Sequence, residues 1–202
     1  ISLIYFNPIC WSKLPNTLLS QDGFAVLERI SGNKRILKRV KNGEVISVAK
    51  VSDKKNKKIE IQTLAVYGAG YHSKSCQFAL RKLSLYENYK DYIGIIKKST
   101  YNDDNQRIKL LLESNLLPFS MRMNFKIARI KTVGRYPFTF DNGFLKELKG
   151  DIHVYQKDKR CLLLITANYE GPSTTINNTV LEFFSKAVIE LSLRNLIRIS
   201  TI

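Results

Sequence analysis

Two histidines, His72 and His153, and three cysteines, Cys10, Cys76 and Cys161, are the side chains of this 202-residue chain with the plainest capacity for catalysis or metal binding. Their spacing assembles little. Zinc sites draw on closely spaced cysteine and histidine pairs, and no CxxC occurs here. A nucleophile elbow would need GxSxG, which is also absent from the sequence. Gly68-Ala69-Gly70 is a lone GxG without the third glycine and βαβ repeat of a dinucleotide site. It reads as a turn that breaks a strand, and no cofactor is implied. Cys76 falls in a helical pattern and Cys161 in a strand pattern; both read as buried small hydrophobes rather than a disulfide pair.

His153 alternates with Ile152 and Val154 and so faces away from them. With those two pointing inward, His153 faces solvent, which is the register favoured here; in the reverse register it would anchor a polar group in an interior pocket. His72 reads as a loop residue, and Asp141 and Glu147 form no evident pair. Enzyme chemistry has no constellation to rest on.

The elements that would position any site are clearer. Residues 175–200 carry Glu182, Lys186, Glu190, Arg194 and Arg198 on one narrow line, in steps of four that suit acid-to-base pairing on a helix. The remaining faces are largely apolar, including Phe184, Val188 and Leu191. Ser173, Thr174 or Thr175 can supply the N-cap after the Gly171-Pro172 break. A helix with so thin a charged stripe must lie in a groove. The cleanest period of two sets Phe119, Met121, Met123, Phe125 and Ile127 on one side of a strand, and Phe138 and Phe140 form a short aromatic strand.

Further strands are expected at 57–67, 92–99, 107–113, 150–155 and 161–168, with a helix from Ser73 to about Tyr89. Consecutive hairpins and a long final helix make an α+β domain, its antiparallel sheet curved around the helix. Ahead of it, residues 1–56 read as an N-terminal extension. Leu18 to Arg29 suits a short helix. Arg35–Val40 and Glu44–Val51 flank Asn42-Gly43, a hairpin signal.

The chain has 33 Lys and Arg against 17 acids, a net charge of +16, and 44% apolar residues. It can build a core, and its charge attracts nucleic acid or an anionic membrane surface. Ten of the cations lie between Lys34 and Lys58, beside two acids; they read first as the exposed face of an edge hairpin. The apolar opening, Ile1 to Ser12, reads either as the tail of a signal peptide or as a buried first strand. The balance falls to an exported protein.

From residue 57 onward, the order of elements resembles the helix-grip fold of START-like (SRPBCC) proteins, a superfamily of lipid-transfer domains, pollen allergens and polyketide cyclases. The pieces that carry it are Glu60 to Val66 as first strand, Ser73 to Tyr92 as the helical segment, the strands through Asn168 and the final helix. Lys90 and Asp91 stand where many members carry Trp or Pro. The resemblance implies residues 57–202 as the domain and a hydrophobic cavity between sheet and final helix. Met121, Met123, Phe125, Ile127, Phe138 and Phe140 from the sheet and Phe184, Val188 and Leu191 from the helix are its expected lining. A lipid or other hydrophobic small molecule is then the expected partner. Nucleic-acid binding, or a cyclase- or hydrolase-like activity on the same fold, are the alternatives. Nucleic acid is the less favoured, because the aromatics are not interleaved with the basic runs as stacking platforms.

Overall fold

The computed structural model describes residues 27, 34–56, 59–115, 120–142, 145–157, 159–174 and 176–199. The apolar opening, Cys10, Phe119 and the helix expected over residues 18–29, apart from Leu27, lie outside them.

Lys34–Lys41 forms a helix, α1, where a strand was expected. The two apolar residues it buries, Leu37 and Val40, are three apart, which is helical and not strand spacing. Asn42-Gly43 ends this helix instead of turning a hairpin. Gly43 has φ 87°, and the amides of Asn42, Gly43 and Glu44 return to the carbonyls of Lys38, Val40 and Arg39, a left-handed C-terminal cap. Lys38, Arg39 and Lys41 fall in its last turn, where cations complement the helix dipole.

Strand β1, Ile46–Asn56, therefore pairs forward with β2, Ile59–His72. Gly68 and Gly70, expected to break β2, lie inside it. Helix α2, Cys76–Leu83, is capped by Ser75 rather than Ser73; the Ser75 hydroxyl accepts from the Phe78 amide at 3.3 Å. A 3-10 turn, Tyr86–Asn88, and the short α3, Tyr89–Tyr92, follow. Then come β3 (Ile96–Asn102), β4 (Arg107–Leu112), β5 (Met121–Ile127), β6 (Gly134–Asn142), β7 (Lys149–Lys157) and β8 (Arg160–Pro172). They form one eight-stranded antiparallel sheet in the order β1-β2-β8-β7-β6-β5-β4-β3. The chain closes with α4, Asn178–Ile199, 22 residues long and about 33 Å at ~1.5 Å per residue.

The curved sheet holds α4 on its inner face. Helix α4 bears on the β1–β2 side: Glu190 accepts from the Ser47 hydroxyl at 3.0 Å, and Glu182 accepts from the Val51 amide at 3.2 Å. The narrow charged line of the helix is thus what fastens it to β1. At its N-terminus, Asn177 caps by accepting from the Thr179 amide at 2.9 Å. The buried Gln62 side chain donates to Asn178 Oδ1 at 2.6 Å and accepts from the Thr174 hydroxyl at 2.7 Å. Among the described residues, one half of the outer face of the sheet is covered, where Leu27, Leu37 and Val40 pack on Tyr67, Ala69, Tyr71, Leu162 and Leu164.

Cys76 and Cys161 are joined in a disulfide, contrary to the reading as free thiols. They are buried as expected. The fold brings together residues 85 apart in sequence, which no spacing rule discloses, and ties the start of α2 to the start of β8.

Candidate ligand site between sheet and helix

In an alternating strand, every second side chain faces the helix. On β5 these are Met121, Met123, Phe125 and Ile127, with Arg122 and Lys126 exposed on the other side. Register then carries the inner face across the sheet: Leu110 stands opposite Met123, Phe140 opposite Phe125 and Phe138 opposite Ile127.

The nine expected lining residues fall into two groups. Met121, Met123, Phe184, Val188 and Leu191 come together around Ile93, Ile96 and Leu112. Phe125, Ile127, Phe138 and Phe140 lie in the main core, which Met123 also touches. Three of these aromatics pack on one another. Phe125 and Phe140 stack with centroids 5.1 Å apart, and Phe138 lies 5.9 Å from Phe125.

Burial separates the set further. Met121, Ile127, Phe138, Phe140 and Phe184 are buried, whereas Met123, Phe125, Val188 and Leu191 are only half-buried. Five inward residues outside the expected lining share that state: Leu110, Tyr136, Ile152, Ile165 and Leu196. They sit on inner strand faces or on α4, yet solvent still reaches them. Alternation within each strand would have found the four strand residues once the register was known.

Few polar groups face this surface. The Ser99 hydroxyl is spent on the Tyr86 carbonyl, and the Tyr136 hydroxyl is engaged with Thr132. Tyr86 is fixed by donating to the Ala128 carbonyl and accepting from the Ile130 amide. Such a surface selects by shape and apolar area, with little directional bonding.

Both histidines depart from expectation. His72 is the last residue of β2 and fully buried rather than in a loop; its Nδ1 accepts from the Lys74 amide at 3.0 Å, and Nε2 has no partner. His153 faces away from Ile152 and Val154 as alternation requires, but it is 2% exposed. The sheet's outer face is closed over at that point, and Nε2 of His153 also lacks a partner. Burial holds its imidazole down to a pKa of about 4, so it is neutral near pH 7. Beside it, Arg135 and Asp151 form a two-point ion pair at 2.7 and 3.0 Å. Asp141, without an evident partner in the sequence, pairs with Arg107. Among the described residues no three His, Cys, Asp or Glu side chains converge as a metal site would need.

No protein-family model matches the sequence, and none of the curated proteins is similar to it by sequence. Solved structures are similar in fold. A START superfamily protein from Mycobacterium smegmatis aligns with TM-score 0.56 at 11% identity, over 68% of this chain and 97% of that one. A STAR-related lipid transfer protein from Xanthomonas axonopodis aligns with TM-score 0.51 at 10% identity, over 75% and 99%. The Zhui aromatase/cyclase from Streptomyces aligns with TM-score 0.51 at 11% identity, over 69% and 94%. At such identities the likeness speaks to architecture alone. An eight-stranded antiparallel sheet gripping a long C-terminal helix, matched across nearly the whole of each neighbour, gives this chain the START-like helix-grip fold.

Proposed function

We propose that this protein binds or carries a lipid or other hydrophobic small molecule between the inner face of the sheet and α4, without catalysing a reaction on it. One observation carries the reading. Apolar side chains on the inward faces of β4 to β8 and of α4, among them Leu110, Met123, Phe125, Ile152, Val188 and Leu191, are half-buried rather than sealed. Water-accessible apolar surface inside a curved sheet is costly unless something apolar covers it, at roughly 25 cal/mol per Å². Met123 adds an unbranched, polarizable side chain that adapts to irregular ligands. The fold neighbours named for lipid transfer support the class of cargo.

The Cys76–Cys161 disulfide supports an exported protein, since such bonds persist in oxidising compartments. The neighbour named as an aromatase/cyclase keeps an enzyme as the competing reading. That reading requires a buried polar group aimed at the bound molecule; the Ser99 and Tyr136 hydroxyls are engaged elsewhere, and His72, buried on the same face of β2 as Gly68 and Gly70 with Nε2 unpartnered, is the group such an enzyme would use.

Native mass spectrometry of gently purified protein, followed by organic extraction, tests the proposal. The expected result is a stoichiometric apolar molecule that is lost when Met123→Trp and Val188→Trp are combined. A folded protein that carries nothing and takes up no fluorescent fatty acid or sterol probe would overturn it.

A further inference from the structure

We propose that the cation-bearing, exposed half of the outer sheet face is a docking surface for an anionic lipid bilayer. This surface lies on the opposite face of the sheet from the proposed cargo site, and the inference stands whether or not that site carries a ligand.

Register builds the surface. On the outer face, Lys98, Leu111 and Arg122 form one cross-strand row, and Thr100, Lys109 and Asn124 form the next. A third row crosses every strand: Asn102, Arg107, Lys126, Thr139, Lys149, Asn168, Ala65 and Lys50. With strands about 4.8 Å apart, the third row runs roughly 34 Å, and the three rows together are about 13 Å deep. None of these positions holds a carboxylate. Arg107 is engaged by Asp141, but Lys50, Lys98, Lys109, Arg122, Lys126 and Lys149 are all exposed and form no ion pair with a described residue. The other half of the same face is closed by α1 and Leu27, so the exposed cations occupy the part that no described residue covers.

Six uncompensated cations on one face call for an anionic partner. Their arrangement favours a bilayer over nucleic acid. They spread in two dimensions, as headgroups do, rather than lining a groove that tracks one backbone, and no aromatic side chain stands among them to stack a base. Leu111 aside, the rows are polar or small, so attachment is electrostatic, reversible and without insertion.

Vesicle flotation tests this with phosphatidylcholine alone and with phosphatidylserine added. Binding is expected only to the anionic vesicles and should fall steeply as salt is raised. The variant K109E/K126E/K149E should lose at least about tenfold in affinity. The variant K74E/K90E/K186E removes the same charge from exposed positions on the helical side and should lose less than about threefold. The cavity variant M123W/V188W should bind vesicles as the native protein does, which separates this surface from the cargo site. Equal loss in the two charge variants, no preference for anionic vesicles, or tighter binding to duplex DNA with the same residue dependence would each overturn the proposal.

Discussion

Gly68 in β2 lies so close beneath Ile189 of α4 that a Cβ on the glycine would sit 2.3 Å from Ile189 Cγ2 and 2.8 Å from Leu193 Cδ1. Gly70 repeats the arrangement under Ile197, at 2.7 Å. These glycines are there so that a helix can rest on the backbone of the strand. Gly68→Ala is expected to lower stability by about 1–3 kcal/mol through overpacking. The double variant Gly68→Ala/Ile189→Ala should lose less than the two single variants summed, because they share one contact. Denaturant melts of the four proteins check it.

The Cys76–Cys161 bond closes a loop of 85 residues. Loop-closure entropy makes Cys76→Ala/Cys161→Ala less stable by about 4–5 kcal/mol. Before reduction, Cys10 is the thiol expected to react with an alkylating reagent once the protein is denatured.

His153 predicts an acid-sensitive fold. Its pKa is lowered from 6.5 to about 4 chiefly by burial, with Asp151 pulling it up and Arg135 pushing it down. The unfolded chain therefore takes up the proton more readily than the folded one. The contribution is fully present above pH 6.5 and is lost as pH falls toward 4, about 3 kcal/mol at the acid end. His153→Gln, which takes no charge, should flatten that part of the stability profile. A profile that keeps its slope in the variant would assign the effect to another group.

Gln62 is a buried amide spent on the entry to α4, bonded to Asn178 and to both the amide and hydroxyl of Thr174. Gln62→Leu keeps much of the volume but strands those partners, at an expected cost of about 1–3 kcal/mol. Hydrogen exchange should rise first in the opening turn of α4.

The long-period features were legible in the sequence. Met121 to Ile127 alternates without interruption, and the apolar faces of residues 178–199 outnumber the charged line, so strand, helix and grip followed from periodicity. What failed were signals with two physical meanings. Asn42-Gly43 supplies a left-handed turn, which a hairpin and a helix end both use, and Leu37 with Val40 decides between them only when the short window is read as three-spaced. Gly68 and Gly70 read as a break because a glycine's close approach depends on a helix more than a hundred residues away. Cys76 with Cys161, and the burial of His153, likewise depend on what the fold lays beside them.

The two ends of the sheet are also accounted for. Strand β1 is one border, and there the Val51 amide, which β2 leaves free, is taken by the Glu182 carboxylate while Lys50 and Lys54 stand exposed. Strand β3 is the other, and its pairing slips between Ile96 and Lys98 beside two exposed lysines, Lys97 and Lys98. Carboxylate capping, lysines and irregular pairing are the devices that stop strands of separate molecules from adding to one another. An open sheet with unguarded borders would be prone to grow by strand addition; here each border is made a poor template, so the inner face can be kept for α4 and whatever binds beside it rather than for another copy of the sheet.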